Sequence, residues 1–258
     1  LKPLDAMSSP EEIRPLVLEF NAVLIRLEDA SDAQQRFVAN AAHQLRTPLA
    51  GVRTQLELLL READAAERQS RTRQCITAIE RLGHLVTQML VLIAAEPGGR
   101  DAAVTAPLDV PELIRERSPD WIRLAETRGL DLGFELQPVQ VSGDDLLLGE
   151  MIANLVVNAL NYTPSPGEIT VRSREEAGRA IIEVQDSGPG IPLEAREKIF
   201  ERFYRQPSTT VPGSGLGLAI VREIASRFGG EVAALTPAGG QGTLLRVRLP
   251  ALQNRTAD

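Results

Sequence analysis

Hydrophobic residues in the first third of the chain recur at alternating steps of four and three. Between Phe37 and Leu60 they fall at Leu45, Leu49, Val52, Leu56 and Leu59, which is the seam of a coiled coil or four-helix bundle. A similar rhythm runs upstream through Ile13, Val17, Phe20, Leu24 and Leu27. Ser9-Pro10-Glu11-Glu12 reads as a helix start, with a Ser cap, Pro at the first helical position and acids at the positive dipole end. The pattern predicts one helix continuing through Ser31-Asp32 into the Phe37 stretch. Pro48 lacks a backbone N–H and crowds the preceding turn, so a kink is expected just beyond His43. Residues 61–69, READAAERQ, have no apolar face and read as the turn of a helical hairpin. Ile76, Ile79, Leu82, Val86, Met89, Leu90 and Ile93 then mark a second amphipathic helix. Two such helices cannot bury both faces alone, and a homodimer forming a four-helix bundle is the expected solution.

The pattern changes after Glu96-Pro97-Gly98-Gly99-Arg100-Asp101, a break of Pro, Gly and charges. Beyond it, Leu130–Leu136 and Val139–Val141 read as strands. Asp144–Leu160 reads as a helix with Leu147, Met151, Leu155 and Val156 toward a core. Ile169–Arg174 and Ala180–Gln185 alternate as a hairpin around Glu176-Ala177-Gly178. Leu216–Phe228 is a helix, and Glu231–Leu235 and Thr243–Leu249 are strands joined at Gly239-Gly240. The expected fold class is an all-α helical hairpin forming a dimeric four-helix bundle, followed by an α+β two-layer sandwich with helices on one face of a mixed sheet.

Composition narrows the function classes. With 258 residues, 43% hydrophobic and only 3% aromatic, the chain can build two modest domains with aliphatic cores. A net charge of -7 argues against a nucleic-acid partner. The single cysteine, Cys75, allows no internal disulfide and reads as a buried or inert helix residue. No apolar run of about 18 residues is present to span a membrane, and no signal peptide is recognisable. The chain starts with Leu1 rather than Met, so a fragment or processed product is expected.

The candidate chemistry lies in four short stretches. His43 sits two residues before Leu45, roughly 200° from the seam, so its imidazole should face away from the core. His84, within RLGHLV, reads as a rim residue. Asn154 and Asn158 are four apart on a predicted helix and face the same way; an amide oxygen is a hard ligand suited to Mg²⁺ that also uses phosphate oxygens. Asp186-Ser187-Gly188-Pro189-Gly190 sets a carboxylate at a strand end, where glycines let backbone approach a flat ligand and the acid can accept an exocyclic amine. Gly213-Ser214-Gly215-Leu216-Gly217 opens a helix, whose N–H groups and dipole suit an anion. A polar loop, QPSTTVP, follows Phe200-Glu201-Arg202-Phe203-Tyr204-Arg205 and reads as a mobile lid. Singly, these are also the patterns of a solvated His, capping amides, a plain turn and a lone G-x-G-x-G. No G-x-x-x-x-G-K-[ST] occurs, which excludes a P-loop ATPase.

In this order, the stretches resemble the sensor histidine kinases of two-component systems over about residues 30 to 250. HQLRTPL is similar to their phosphoacceptor motif, and HQLRTPLAG to that of the tricarboxylate-transport sensor subgroup. The later blocks resemble the N, G1 and G2 boxes, with FERFYR as the F box. Residues 1–28 are similar to the last part of a HAMP linker. The resemblance implies a division into 1–30, end of a HAMP-like signalling helix; 31–96, dimerisation and phosphoacceptor domain; 97–106, linker; 107–252, ATP-binding domain of the Bergerat (GHKL) fold shared with Hsp90 and gyrase; and 253–258, tail. It implies that His43 takes the γ-phosphoryl group of ATP and passes it to an aspartate of a response-regulator receiver domain. It implies that Asp186 binds the adenine amine, Asn158 holds Mg²⁺ with Asn154 nearby, and Tyr162 flanks the base. Gly188, Gly190, Gly213, Ser214, Gly215, Leu216 and Gly217 shape the pocket, and Arg205 reaches the γ-phosphate. Thr47, one turn beyond His43, would position a water for dephosphorylating the partner. The expected setting is the cytoplasmic face of the bacterial inner membrane, through an upstream segment absent from this chain.

Two positions depart from the family pattern. Gln44 follows His43 where many members carry an acid, which makes a far weaker base. Asn161 stands where Lys or Arg often sits, which removes a cation near the phosphates and predicts weaker nucleotide affinity. The alternatives are a non-catalytic scaffold that only binds a receiver and an ATPase of the same superfamily. Mg-ATP binding discriminates against the first. The His43 hairpin ahead of the ATP domain argues against the second.

Overall fold

The computed structural model describes Leu4, Pro10 and residues 13–60, 64–95, 106–206 and 213–252. The chain divides into two compact units, Leu1–Gly83 and His84–Asp258. In the first, α1 (Arg14–Leu59) is one helix that runs through the Ser31-Asp32 junction and through Pro48 without interruption. Pro15 sits in its first turn, where a missing N–H costs nothing. Ser9, Glu11 and Glu12 of the expected cap lie outside the described residues. The turn is shorter than expected, because α2 (Ala65–Ala95) starts well before Ile76. The Asp64 carboxylate accepts the N–H of Glu67 at 2.9 Å, and this cap lets an Ala- and Glu-rich segment propagate as helix.

The seam is visible in the burial. Val52 of α1 and Cys75 of α2 are buried, and Arg71 donates across to the Gln55 side-chain Oε1 at 3.4 Å. Leu49 and Leu56, on the same seam, stay 59% and 46% exposed, as do Ile76 and Ile79 of α2 at 51% and 54%. In a single chain, much of this apolar seam stays in water. Among the described residues, no helix is long and apolar enough to cross a membrane.

The second unit is a two-layer sandwich. After the last turns of α2 come β1 (Ala106–Asp109), α3 (Val110–Arg128), β2 (Leu130–Leu136), β3 (Gln140–Gly143), α4 (Asp145–Tyr162), β4 (Gly167–Glu176), β5 (Arg179–Asp186), α5 (Gly217–Arg227), β6 (Glu231–Leu235) and β7 (Thr243–Pro250). The main sheet has the order β2-β4-β5-β7-β6, and β1 pairs with β3 in a separate ribbon. Only β2–β4 is parallel, so the sheet is mixed as expected. The β4–β5 hairpin closes through Ala177 and Gly178, both at positive φ (51° and 74°), the geometry of a tight hairpin turn. β1 and α3 were not predicted from sequence. Pro111 occupies the first turn of α3 and the helix continues through Pro119.

Register sorts the sheet into two faces. Val171, Val184 and Leu245 lie across from one another and are buried, as are Ile152, Leu155 and Ile220 of the helices. On the other face Arg172, Glu183 and Arg246 are cross-strand neighbours. Glu183 is 4% exposed and takes hydrogen bonds from Arg174 (2.7 Å) and Arg246. Burial alone would raise its carboxyl, but the two guanidinium partners hold it below the ordinary glutamate range.

Candidate functional site

The helical candidates sit as the sequence places them. His43 is exposed on α1, away from Val52, and Gln44 is half-buried beside it. Thr47 donates its hydroxyl to the His43 carbonyl at 3.3 Å. That bond fixes the threonine rotamer one turn below the imidazole-bearing residue.

The remaining candidates lie in the second unit, around the end of β5. Asp186 is the last residue of that strand and is 5% exposed. Its Oδ1 accepts the N–H of Gly188 (2.8 Å) and of Thr243 (3.2 Å). Burial pushes the carboxyl above the ordinary aspartate range, and these N–H bonds offset part of the rise. A side chain at Gly188 would meet Asp186 Oδ1 at 2.8 Å and the Tyr162 carbonyl at 3.0 Å. Gly190 (φ 77°) continues the loop. Gly242 was missed by sequence reasoning: at φ 93°, its added Cβ would sit 1.9 Å from the Asp186 carbonyl. Only glycine lets the β7 approach press backbone against the carboxylate strand. The signal was present in Gly239-Gly240-Gln241-Gly242, where the first two glycines had drawn attention as a turn.

α4 supplies one wall. Asp144 caps it by accepting the Leu147 N–H at 3.0 Å, and Asn154, Asn158 and Asn161 follow at i, i+4 and i+7, within about 60° of one another on the helix. Asn154 is buried and donates to the Glu150 carbonyl at 2.8 Å. Its Oδ1 lies 2.8 Å from where a Cβ on Gly217 would be, so the first turn of α5 abuts this face of α4. Asn158, Asn161 and Tyr162 are half-buried on the wall.

The glycine-rich stretch before α5 closes the arrangement. Gly215 (φ 72°) presses on Phe203, whose N–H donates to the Gly215 carbonyl at 2.8 Å. Phe203 itself adopts φ 65°, a costly conformation for an aromatic residue that the stacked turn enforces. Leu216 is fully buried, so its side chain belongs to the core rather than to a pocket. Gly213 faces open space. Arg205 is exposed at the start of the loop, and residues 207–212 of the expected lid lie outside the described residues.

A second residue missed by sequence reasoning is Gln88, near the end of α2 and within the second unit. It is buried, donates to Asn154 Oδ1 at 3.2 Å and accepts from Ser214 Oγ at 3.0 Å. No local signal pointed to it, because its partners are 66 and 126 residues away.

Among the described residues no cluster of His, Cys, Asp or Glu could hold a metal. The donor set fits a cation that brings oxygen ligands of its own: a neutral amide at Asn158, while Oδ1 of Asp186 is taken by backbone N–H groups.

Two family models match. Residues 33–98 match the His Kinase A (phospho-acceptor) domain, and residues 143–253 match the histidine kinase-, DNA gyrase B- and HSP90-like ATPase. The chain is 37% identical over 254 residues to the sensor protein kinase PmrB of Pseudomonas aeruginosa, covering 98% of this chain and 53% of that protein. It is 36% identical over 264 residues to the signal transduction histidine-protein kinase/phosphatase MprB of Mycobacterium tuberculosis, covering 97% and 51%. The chain thus spans about half the length of the curated relatives it matches. Among solved structures, a mycobacterial sensor histidine kinase MprB is 36% identical with a TM-score of 0.51, covering 57% of this chain and 98% of that one. Histidine kinase ThkA in complex with response regulator protein TrrA shares the fold at 23% identity and a TM-score of 0.66, covering 88% and 66%.

Proposed function

The chain belongs to the sensor histidine kinases, and from that premise we propose that it autophosphorylates His43 from Mg-ATP and relays the phosphoryl group to an aspartate of a receiver domain. The observation that carries this reading is the Asp186 end of β5, a buried carboxylate hemmed by glycines at 188 and 242 where any side chain would collide. An ionised carboxylate there accepts the adenine amine, and the tight backbone leaves a slot for a flat ring. Tyr162 flanks that slot and Arg205 answers the charge developing on the γ-phosphoryl group.

The reaction is an in-line transfer. The lone pair of one imidazole nitrogen of His43 forms the N–P bond, the γ-phosphorus to β,γ-bridging oxygen bond breaks, and ADP leaves with those electrons. The proton on the other ring nitrogen is shed to solvent, since Gln44 accepts hydrogen bonds but does not take up a proton. Asn158 would hold a Mg²⁺ ion through its amide oxygen, and the ion would supply charge neutralisation for the phosphates. Asn154 lines the phosphate side of the wall.

The exposed seam leucines Leu49 and Leu56 support a homodimer in which two hairpins form the bundle. Thr47, fixed one turn below His43, supports a second activity that removes the phosphoryl group from the partner; the matched MprB carries both kinase and phosphatase in its name. We place the intact protein at the cytoplasmic side of a membrane, tethered through sequence upstream of α1. The test is incubation with γ-labelled ATP and Mg²⁺ beside His43→Gln and Asn158→Ala. Acid-labile, base-stable label on the wild type alone is the expected result. Tight ATP binding without label would favour a receiver-binding scaffold instead.

A further inference from the structure

Asn161 deprives the α4 wall of the cation that its position often carries in the family, yet a guanidinium reaches the same place from another helix. Arg128 is the last residue of α3. The left-handed Gly129 ends the helix there, with its N–H turned back to Ala125 and Glu126 and its carbonyl accepting from Ser165 Oγ at 3.1 Å. The arginine is therefore launched from a fixed point. Its Nη1 donates to the Leu160 carbonyl at 2.6 Å and to Asn161 Oδ1 at 2.8 Å. Arg117 and Arg123 of the same helix face the carboxylates of Asp145 and Asp120. Both of these Arg128 partners are neutral oxygens, so they leave its positive charge undiminished.

Two consequences follow from this geometry. Arg has no acceptor, so the side of the Asn161 amide that meets it must be the oxygen. The amide NH₂ is then the part of Asn161 left to donate, on a residue that shares its face of α4 with Asn154 and Asn158. The positive charge, meanwhile, sits one hydrogen bond behind those donors, which strengthens them toward an anion.

We propose that Arg128 is the missing cation of the nucleotide site: a positioning residue that orients Asn161 to donate to a phosphate oxygen of ATP and backs that bond with its charge. The proposal rests on the ATP-site reading above. It replaces the expectation that Asn161 leaves the site short of one charge.

The test measures affinities of the whole chain for Mg-ATP and for adenosine, by calorimetry, in the wild type, Arg128→Gln, Arg128→Lys, Asn161→Lys and Arg128→Gln/Asn161→Lys. Arg128→Gln should weaken ATP about tenfold while adenosine changes less than about twofold. Lysine at 128 should recover part of the loss, and lysine at 161 should restore ATP binding in the Arg128→Gln background. Equal losses for ATP and adenosine would make Arg128 a plain cap of α4 and overturn the proposal, as would unchanged ATP affinity. A wild type that binds adenosine but gains nothing from the phosphates also overturns it while sparing the adenine site. A wild type that binds neither ligand removes the ATP-site reading itself, and this proposal with it.

Discussion

The two units of this protein are stabilised on opposite terms. In the sandwich, α4 alone buries Leu148, Met151, Ile152, Leu155 and Leu160 completely, and Val171, Val184 and Val247 of the sheet are buried as well. In the helical unit Val52 and Cys75 are buried, while Leu49, Leu56, Ile76 and Ile79 stay largely in water. Each apolar side chain of that size gains about 1.5–3 kcal/mol on full burial. The sandwich collects that gain within one chain. In the homodimer proposed above, the hairpin would collect it by associating, which would make its folding and its dimerisation one equilibrium. On the proposed function, the nucleotide site would gain from a rigid frame, and an acceptor histidine that meets two partners in turn would suit an element held by association.

That contrast can be broken from either side. The largest effect is expected from Leu155→Ala, which should destabilise the sandwich by about 4 kcal/mol in chemical denaturation and leave dimerisation untouched in sedimentation. Asp186→Asn should weaken ATP binding about a hundredfold, or about 2.7 kcal/mol, with little change in melting temperature. Leu56→Glu should raise the dimer dissociation constant about thirtyfold by setting a charge on the seam, read by sedimentation, with ATP affinity retained. Retained dimerisation in Leu56→Glu would mean the exposed seam is not the interface.

Two carboxylates sharpen the contrast within the sandwich. Glu183 titrates below its ordinary range. Its contribution is present above the unfolded-state value and is lost as pH falls through the lower folded value. Glu183→Ala should cost about 1.5 kcal/mol at neutral pH and should flatten the acid limb of stability. Asp186 is shifted the other way, upward, by burial. Its ionised form is disfavoured in the fold, so its effect on stability has the opposite sign and eases as pH falls. Its effect on binding runs the other way: ATP affinity should drop as pH falls through the raised value, and Asp186→Asn should lack that drop. Of the five, this pH effect is the smallest near neutrality.

Much of this was legible in the chain itself. The seam spacing marked both long helices, and Ala177-Gly178 between alternating runs marked the β4–β5 hairpin. The Asp186 and Asn154/Asn158 stretches were legible because each sits on one element with its glycines or its repeat nearby. α3 was not, because two prolines masked a helix whose real start signal was the Asp109 side chain taking the Glu112 N–H at 2.9 Å. Asp109-Val110-Pro111-Glu112 has the spacing of a capping box and could have revealed it. The start of α2 was misjudged because an Ala-rich charged segment without an apolar face resembles a turn, and the Asp64 cap decides otherwise. Arg128, Gln88 and Gly242 were out of reach for a different reason. Their roles come from residues brought close by the fold, such as Asn161, 33 positions from Arg128, and no local pattern records such a pair.

The central claim joins the two units: the site around Asp186 supplies the phosphoryl group and His43 receives it. The most direct measurement is to digest the chain under alkaline conditions after incubation with Mg-ATP and locate the phosphoryl group by mass spectrometry. One phosphoryl group on the peptide that carries His43, absent in Asp186→Asn, is the predicted result. A phosphoryl group on any other residue, or none from a protein that binds ATP, would contradict it.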